Sequence, residues 1–377
     1  MLSKKKILFV TGTRADYGKL KSLILAIKNH KKFDYRLFVT GMHNLKNYGS
    51  TYEEIVKDNF LNYFRYSNQK LQDSMDIILS KTILGFNKYI TKEKPDLVVV
   101  HGDRVETLAC TISCVLNNIL IGHIEGGEVS GTVDEMIRHS VSKLAHLHFV
   151  SNLNSKKRLI QMGEQKNKIF IIGSPDFDIM KSSQLPSLKE VKSRYKIEFN
   201  EFGILLFHPV TTEIKELKRV TKILCNSVLK SNKKFVVIYP NNDKGSEIIL
   251  KEYKSNFKNK NIKLFPSMRF EYFLTLLKNA KVIIGNSSAA VREAPFYGTK
   301  TVNLGTRQNN RVEAPSIKNL NFNQKKIIKE INYAFNKKAK YRKSKIFSYG
   351  NASNNFVKVL SKKNIFDTSK QKYFIDL

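Results

Sequence analysis

KILFVTGTRADYGKLKSLILAIK, Lys6–Lys28, sets the reading of the whole chain. Ile7–Val10 is an apolar run with no polar alternation, so a strand made from it must be covered on both faces. The run closes on Gly12. Leu20, Leu23, Ile24 and Ile27 then recur at the 3.6-residue period of a helix with one buried face. A buried strand that feeds an amphipathic helix is half of a βαβ unit in a parallel sheet.

The same unit repeats outward from there. YRLFVTG (Tyr35–Gly41), DLVVVHGD (Asp96–Asp103), ILIGHIE (Ile119–Glu125), LHFVS (Leu147–Ser151) and IFIIGSPD (Ile169–Asp176) are short, rich in β-branched residues and closed by Gly, Ser or acid. The polar stretch Ser182–Glu201 reads as a linker. The cycle then restarts with GILLFHP (Gly203–Pro209), KFVVIYP (Lys234–Pro240), IKLFP (Ile262–Pro266), KVIIGNS (Lys281–Ser287) and KTVNLG (Lys300–Gly305). The pattern predicts an α/β chain of two Rossmann-like, doubly wound parallel sheets, with ligands held at the carboxyl ends of both, facing across a cleft. Residues 1–180 form the expected first domain and 181–351 the second. A helix near Asn354–Lys363 is expected in the tail, and segment 352–377 is a candidate to pack back on the first domain.

Composition agrees with this division. A chain of 377 residues fits two domains, and 41% hydrophobic residues suffice for two cores. Charged residues at 26% exclude wholesale disorder. The net charge is +34, and the stretch from Asn321 onward carries 14 Lys/Arg against three acids. Such an excess attracts polyanions without specificity. It is mostly Lys among Asn, with no helix-turn-helix, zinc knuckle or RNA-recognition aromatic motif, so it reads as solvated faces, not a nucleic-acid groove. Cys110, Cys114 and Cys225 make neither a disulfide framework nor a CxxC pair. No signal-peptide core follows Met1 and no stretch approaches the ~20 apolar residues of a membrane span, so a cytoplasmic protein without a membrane partner is expected.

Chemistry should lie where the strands end. In GTRADYG (Gly12–Gly18) the turn into the helix offers N–H groups to an anion, and Arg14 adds a positive fork. An ordinary capped turn reads equally well, and the absence of GxGxxG argues against a dinucleotide. GNSSAAVREAP (Gly285–Pro295) repeats the strand–turn–helix arrangement. Ser287 and Ser288 can cap the helix or bind phosphate, and Glu293, about a turn and a half in, can accept from ribose hydroxyls. HGDR (His101–Arg104) and HIEGGEVSGTVDEMIRH (His123–His139) carry an acid cluster: Asp103 and Glu125 end two strands expected to be neighbours. Asp134 and Arg138 share a helix face at i, i+4. Carboxylates converging on a strand-end crevice can divide acid and base roles, although an ion-pair network with Arg104 and Arg138 would give the same residues. His208 ends the first strand of the second set, and a purely structural His is the alternative there. The His and carboxylate spacing matches no zinc signature, and no GxSxG is present.

With these motifs the chain resembles, over nearly its whole length, the hydrolysing UDP-N-acetylglucosamine 2-epimerases of bacterial sialic-acid synthesis. VTGTRADYGKLK, VTGMH, HGDR, HIEGGEVSGTVDEMIRHSVSKLAHLH, IIGSPD, FHPVTTE, YPNNDKG, FPSMRFEY, GNSSAAVREAP and LGTRQNNR carry the likeness. The resemblance implies a glycosyltransferase-B type fold that holds UDP between two Rossmann-like domains. It implies Asp103, Glu125 and Asp134 as catalytic carboxylates and His208 as the catalytic residue of the second domain. It further implies substrate contacts from Arg14, Arg104, Arg138, Asn241, Phe270, Ser287, Ser288, Glu293 and Arg307, with Phe270 on uracil, Glu293 on ribose and the two serines on phosphate.

The implied reaction has two halves. A base takes the C2 proton as UDP leaves C1, giving a 2-acetamidoglycal; water then adds, C2 is protonated on the opposite face, and N-acetylmannosamine is released. The resemblance implies no metal and no cofactor, UDP-N-acetylglucosamine as substrate, and a homo-oligomer, dimer or tetramer. Two other readings stay open: the same chemistry on UDP-2,4-diacetamido-2,4,6-trideoxyglucose in legionaminic-acid synthesis, and, further off, a glycosyltransferase of the same fold.

Overall fold

The computed structural model describes residues 4–130, 132–183, 185–308, 311, 313–337, 339–344 and 351–376. The chain divides into two compact units. One comprises Met1–Glu128, Asp134–Ser182 and Ile346–Leu377; the other comprises Val129–Val133 and Ser183–Lys345. Each is a parallel sheet wrapped by helices, so the chain consists of two Rossmann-like, doubly wound sheets.

In the first unit the strands are β1 (Lys5–Thr11), β2 (Phe33–Val39), β3 (Tyr63–Arg65), β4 (Leu97–His101), β5 (Ile121–Ile124), β6 (Leu147–Val150) and β7 (Ile169–Ile171). Their order across the sheet is β3-β2-β1-β4-β5-β6-β7. The apolar run that opened the chain lies at the centre, with Ile7, Leu8 and Phe9 fully buried. The winding reverses between β1 and β4, and a crevice opens at such a switch point beyond the carboxyl ends of the strands. The loops after Thr11 and His101 therefore sit where a ligand binds in this class of sheet.

The second unit holds β8 (Gly203–Leu206), β9 (Phe235–Ile238), β10 (Ile262–Phe265), β11 (Val282–Gly285), β12 (Lys300–Leu304) and β13 (Ile317–Leu320), in the order β10-β9-β8-β11-β12-β13. Its switch point lies between β8 and β11, which places FHP and GNSS on adjacent strand ends.

Three features depart from the sequence reading. β3 and β13 are edge strands that the pattern did not mark; both are short and only partly buried, so neither shows an apolar run. The stretch read as a linker contains a helix, Leu188–Tyr195, closed by a capping box in which Ser187 and Glu190 satisfy each other's backbone N–H. The single helix expected after GNSS is two: Ser288–Val291 and Glu293–Tyr297. Pro295 explains the break, because its ring clashes with the carbonyl four residues back, at Val291, and it donates no hydrogen bond there. Glu293 thus opens a second helix and does not sit midway along the first.

The tail helix, Ala352–Leu360, belongs to the first unit. Phe356 is fully buried there, 4.8 Å from the Phe149 ring and 6.2 Å from that of Phe9. Asp178 fixes its start, accepting the N–H groups of Ala352 at 2.9 Å and Ser353 at 2.8 Å, where the helix dipole favours a carboxylate. Among the described residues, no helix is long and apolar enough to cross a membrane.

Candidate functional site

At the end of β1 the turn is occupied by its own side chain. Asp16 accepts the N–H groups of Gly12 at 3.0 Å and Thr13 at 3.1 Å, and also the Thr11 hydroxyl. Its own N–H is accepted by Thr13 Oγ1 at 3.1 Å, completing a capping box. The N–H groups expected to receive an anion here are therefore largely committed to Asp16. A buried His43 supports this turn from behind, with Nε2 2.9 Å from Thr11 Oγ1 and Nδ1 2.7 Å from Thr51 Oγ1. Burial lowers its pKa to about 4, so the ring is neutral at physiological pH. Arg14 projects from the same turn and pairs with Glu54 at 3.0 Å.

At the end of β4, Asp103 is ion-paired and hydrogen-bonded to Arg138, a guanidinium only 3% exposed. Arg138 sits one helical turn after Asp134 on the helix Val133–Leu144, so Asp134 lies on the helix face that Arg138 presents to Asp103. Arg104, the next residue along the chain from Asp103, has its Nε 3.6 Å from the buried Glu106, in the first turn of the next helix.

Glu125 follows β5, beside β4, but is held by a different set. Its Oε1 accepts from Ser174 Oγ at 2.5 Å; His101 Nε2 lies 3.3 Å and Lys19 Nζ 3.7 Å from Oε2. Lys19 is also 3.9 Å from Asp176, so it is shared by two buried carboxylates. Glu125 holds a left-handed backbone conformation, φ +63°, that side chains other than glycine seldom adopt. The acids at these two strand ends are thus each matched with separate cations, which offsets their mutual repulsion. The sequence reading did not single out Asp16, Lys19, His43, Glu106, Ser174 or Asp176. Lys19 and Ser174 lie inside motifs already quoted, but only the fold brings them to Glu125.

In the second unit Asn286 ties the switch-point strands together. Its Oδ1 accepts the His208 N–H at 2.7 Å and its Nδ2 donates to the His208 carbonyl at 2.9 Å. Arg307 and Gln308 donate to the Asn286 carbonyl at 3.3 and 3.0 Å. Gly285 permits this approach: a Cβ there would lie 2.0 Å from the Leu206 carbonyl oxygen. His208 Nδ1 accepts the Asn241 N–H at 3.0 Å, so a neutral ring carries its proton on Nε2. Asn241 Nδ2 donates to Asp243, while its buried Oδ1 has no partner among the described residues. Ser287 caps the helix Ser288–Val291 by accepting from Ala289 N at 3.3 Å. Glu293 is 2% exposed, and Phe270, the first residue of the helix Phe270–Asn279, is 8% exposed. Asn286 also borders a small open concavity whose other walls include Phe207, Glu213, Leu217, Leu304 and Phe322. Among the described residues, no cluster of three or more His, Cys, Asp or Glu could hold a metal ion.

The sequence model of the UDP-N-acetylglucosamine 2-epimerase family matches residues 25–361. The chain belongs to this family. A UDP-N-acetylglucosamine 2-epimerase of Neisseria meningitidis serogroup B is 45% identical over 376 residues, spanning 99% of both chains. A UDP-N,N'-diacetylbacillosamine 2-epimerase (hydrolyzing) of Legionella pneumophila is 34% identical over 343 residues, 89% of this chain and 91% of that one. Among solved structures, the Methanocaldococcus jannaschii UDP-GlcNAc 2-epimerase in complex with UDP-GlcNAc and UDP superposes with a TM-score of 0.79. That match covers 94% of this chain and 99% of that one at 23% identity, and shows the shared two-domain epimerase fold.

Proposed function

We propose that the chain is a hydrolysing UDP-N-acetylglucosamine 2-epimerase, which converts UDP-N-acetylglucosamine and water to N-acetylmannosamine and UDP as the first step of sialic-acid synthesis. The observation that carries this reading is the placement of Asp103 with Arg138 and Asp134 at one switch-point strand end, and of Glu125 at the next. These acids take the proton-transfer roles. One removes the C2 proton; its electron pair forms the C1=C2 bond as the C1–O bond to UDP breaks. Water then adds its oxygen to C1 and loses a proton to a carboxylate of the cluster, while a second, protonated acid delivers its proton to C2 on the opposite face.

The leaving diphosphate needs hydrogen-bond donors that are already in place. Ser287, Ser288, Arg307 and the Nε2–H of His208 are assigned to it, with Arg14, Arg104 and Arg138 supplying further positive charge. Glu293 is assigned to ribose, Phe270 to uracil and Asn241, through its unpartnered Oδ1, to a donor on the nucleotide. The hydrolysing mode is supported by the Legionella relative named for it. UDP-N-acetylglucosamine is favoured over the diacetamido sugar because the relative named for it shares 45% identity against 34%.

The test offers both UDP-sugars in deuterated water, with products followed by NMR. Free N-acetylmannosamine carrying deuterium at C2, together with UDP, is expected from UDP-N-acetylglucosamine. Accumulated UDP-N-acetylmannosamine would mark a non-hydrolysing epimerase. Preferred turnover of the diacetamido sugar would move the substrate, and an original C2 hydrogen retained in the product would remove the elimination step.

A further inference from the structure

One fully buried side chain next to the acid cluster takes no part in the scheme above. His123 lies on β5, two residues before Glu125, and is 0% exposed. Its Nε2 is 2.8 Å from the carbonyl oxygen of Gly102, and its Nδ1 is 3.1 Å from Ser142 Oγ. A carbonyl only accepts, so Nε2 carries the proton and Nδ1 accepts from the serine hydroxyl. The ring therefore has one donor and one acceptor, and both are used.

Each partner sits next to a site residue. Gly102 immediately precedes Asp103. Ser142 is the next step, at i+8, on the stripe that runs Asp134, Arg138, Ser142 along the helix Val133–Leu144. The neighbouring backbone leaves no slack: a Cβ on Gly126 would lie 2.9 Å from both His123 Nδ1 and Ser142 Oγ. We propose that His123 is the positioning residue of the acid cluster, locking the turn that bears Asp103 to the helix that bears Asp134 and Arg138.

The proposal rests on the reading of those acids as the reacting groups. Burial holds the imidazole pKa at about 3, so the tether keeps the same proton throughout the working pH range. The Gly102 carbonyl fixes the tautomer, and the Ser142 hydroxyl fastens the other ring nitrogen to the helix. Without the hydroxyl the buried Nδ1 loses its donor and the ring is held by the turn alone. The turn is then free to shift relative to the helix, and Asp103 moves with it. Displacements of about 1 Å in a reacting group can lower turnover by ~10²-fold.

The experiment uses the full chain with Ser142→Ala, His123→Gln and the double variant. Ser142→Ala is expected to melt close to wild type and to keep UDP affinity by calorimetry and KM within about twofold, while kcat falls about 10- to 100-fold. The double variant should turn over no more slowly than His123→Gln alone, because the serine acts through the ring. Wild-type kcat in Ser142→Ala, additive losses in the double variant, or a kcat loss matched by equal losses of UDP affinity and melting temperature would each overturn the tether. Should the wild type release no N-acetylmannosamine, the proposed function fails by itself, and the tether is tested separately by nitrogen-15 NMR of the imidazole. An Nε2–H neutral ring from about pH 5.5 to 8.5, disturbed by Ser142→Ala, supports the tether. An Nδ1–H ring or a charged ring refutes it.

Discussion

Glu125 allows its backbone strain to be separated from its chemistry. Its φ of +63° lies in the left-handed region, where a residue with a Cβ costs about 1–2 kcal/mol relative to its usual conformations. The strain is held in place by the Glu125 N–H, which donates to the Phe149 carbonyl at 3.1 Å, and by the Ser174 hydroxyl on the carboxylate. Glu125→Ala and Glu125→Gly remove the same carboxylate and the same contacts to Ser174, His101 and Lys19. Those losses cancel when the two variants are compared, leaving the backbone. In an ordinary strand or helix, glycine would be the less stable by about 0.5–1 kcal/mol. Here the relieved strain exceeds that entropic penalty, so the glycine variant should be the more stable by about 1 kcal/mol. Urea unfolding followed by circular dichroism reads the difference. At a slope of about 2–3 kcal/mol/M, the midpoints should differ by roughly 0.4 M. An alanine variant as stable as the glycine variant would refute the strain. Turnover should fall in both by the ~10²–10⁴ of a lost acid or base, and a glycine variant that kept wild-type turnover would remove Glu125 from the chemistry.

Phe356→Ala should destabilise the first unit by about 3–5 kcal/mol, since the ring is fully buried against Phe9 and Phe149; a urea midpoint shifted by under ~0.3 M would mean that the tail helix is dispensable. Acid should destabilise the chain early. The folded pKa values of His43 and His123 are lowered to about 4 and about 3, below an unfolded value near 6.5. Their contribution is thus intact above pH ~6.5 and is lost as pH falls toward the folded values, at about 1.4 kcal/mol per pH unit for each ring; unfolding free energies that are level between about pH 7 and 5 would contradict this. Glu293→Gln should weaken UDP binding, measured by calorimetry, by about 10- to 150-fold, the equivalent of about 1.5–3 kcal/mol of charge-assisted hydrogen bonding, and an unchanged affinity would take Glu293 out of the nucleotide site.

The central strands were legible because their signal is local. A strand covered on both faces must be apolar along its whole length, and Ile7–Val10, Leu97–Val100 and Val282–Ile284 show this within a few residues. Edge strands carry no such requirement, so Tyr63–Arg65 and Ile317–Leu320 pass for loop. The helix Leu188–Tyr195 was visible in principle, since SLKE is a capping box, but only Val191 of its residues is buried and the apolar period is faint. The break at Arg292 was also present in the sequence, as Pro295, and was hidden by the strength of the serine cap before it.

Strand ends could be named from sequence, but the pairing of charges at them could not. Which cation meets which carboxylate depends on elements far apart in the chain: Lys19 from the first helix, Ser174 from the turn after β7 and His101 from the end of β4 all reach Glu125, while Arg138 turns to Asp103. The spacing of Asp134 and Arg138 at i, i+4 put them on one helix face, but it could not show that Arg138 hydrogen-bonds across to the neighbouring strand end. Helical spacing restricts which side chains can meet within one helix, whereas sheet order decides what that helix faces. The same logic accounts for His123. Within its own strand it is one polar residue in an apolar run; only when β4 lies beside β5 and Ser142 stands over both does its ring acquire two partners and link two of the acids.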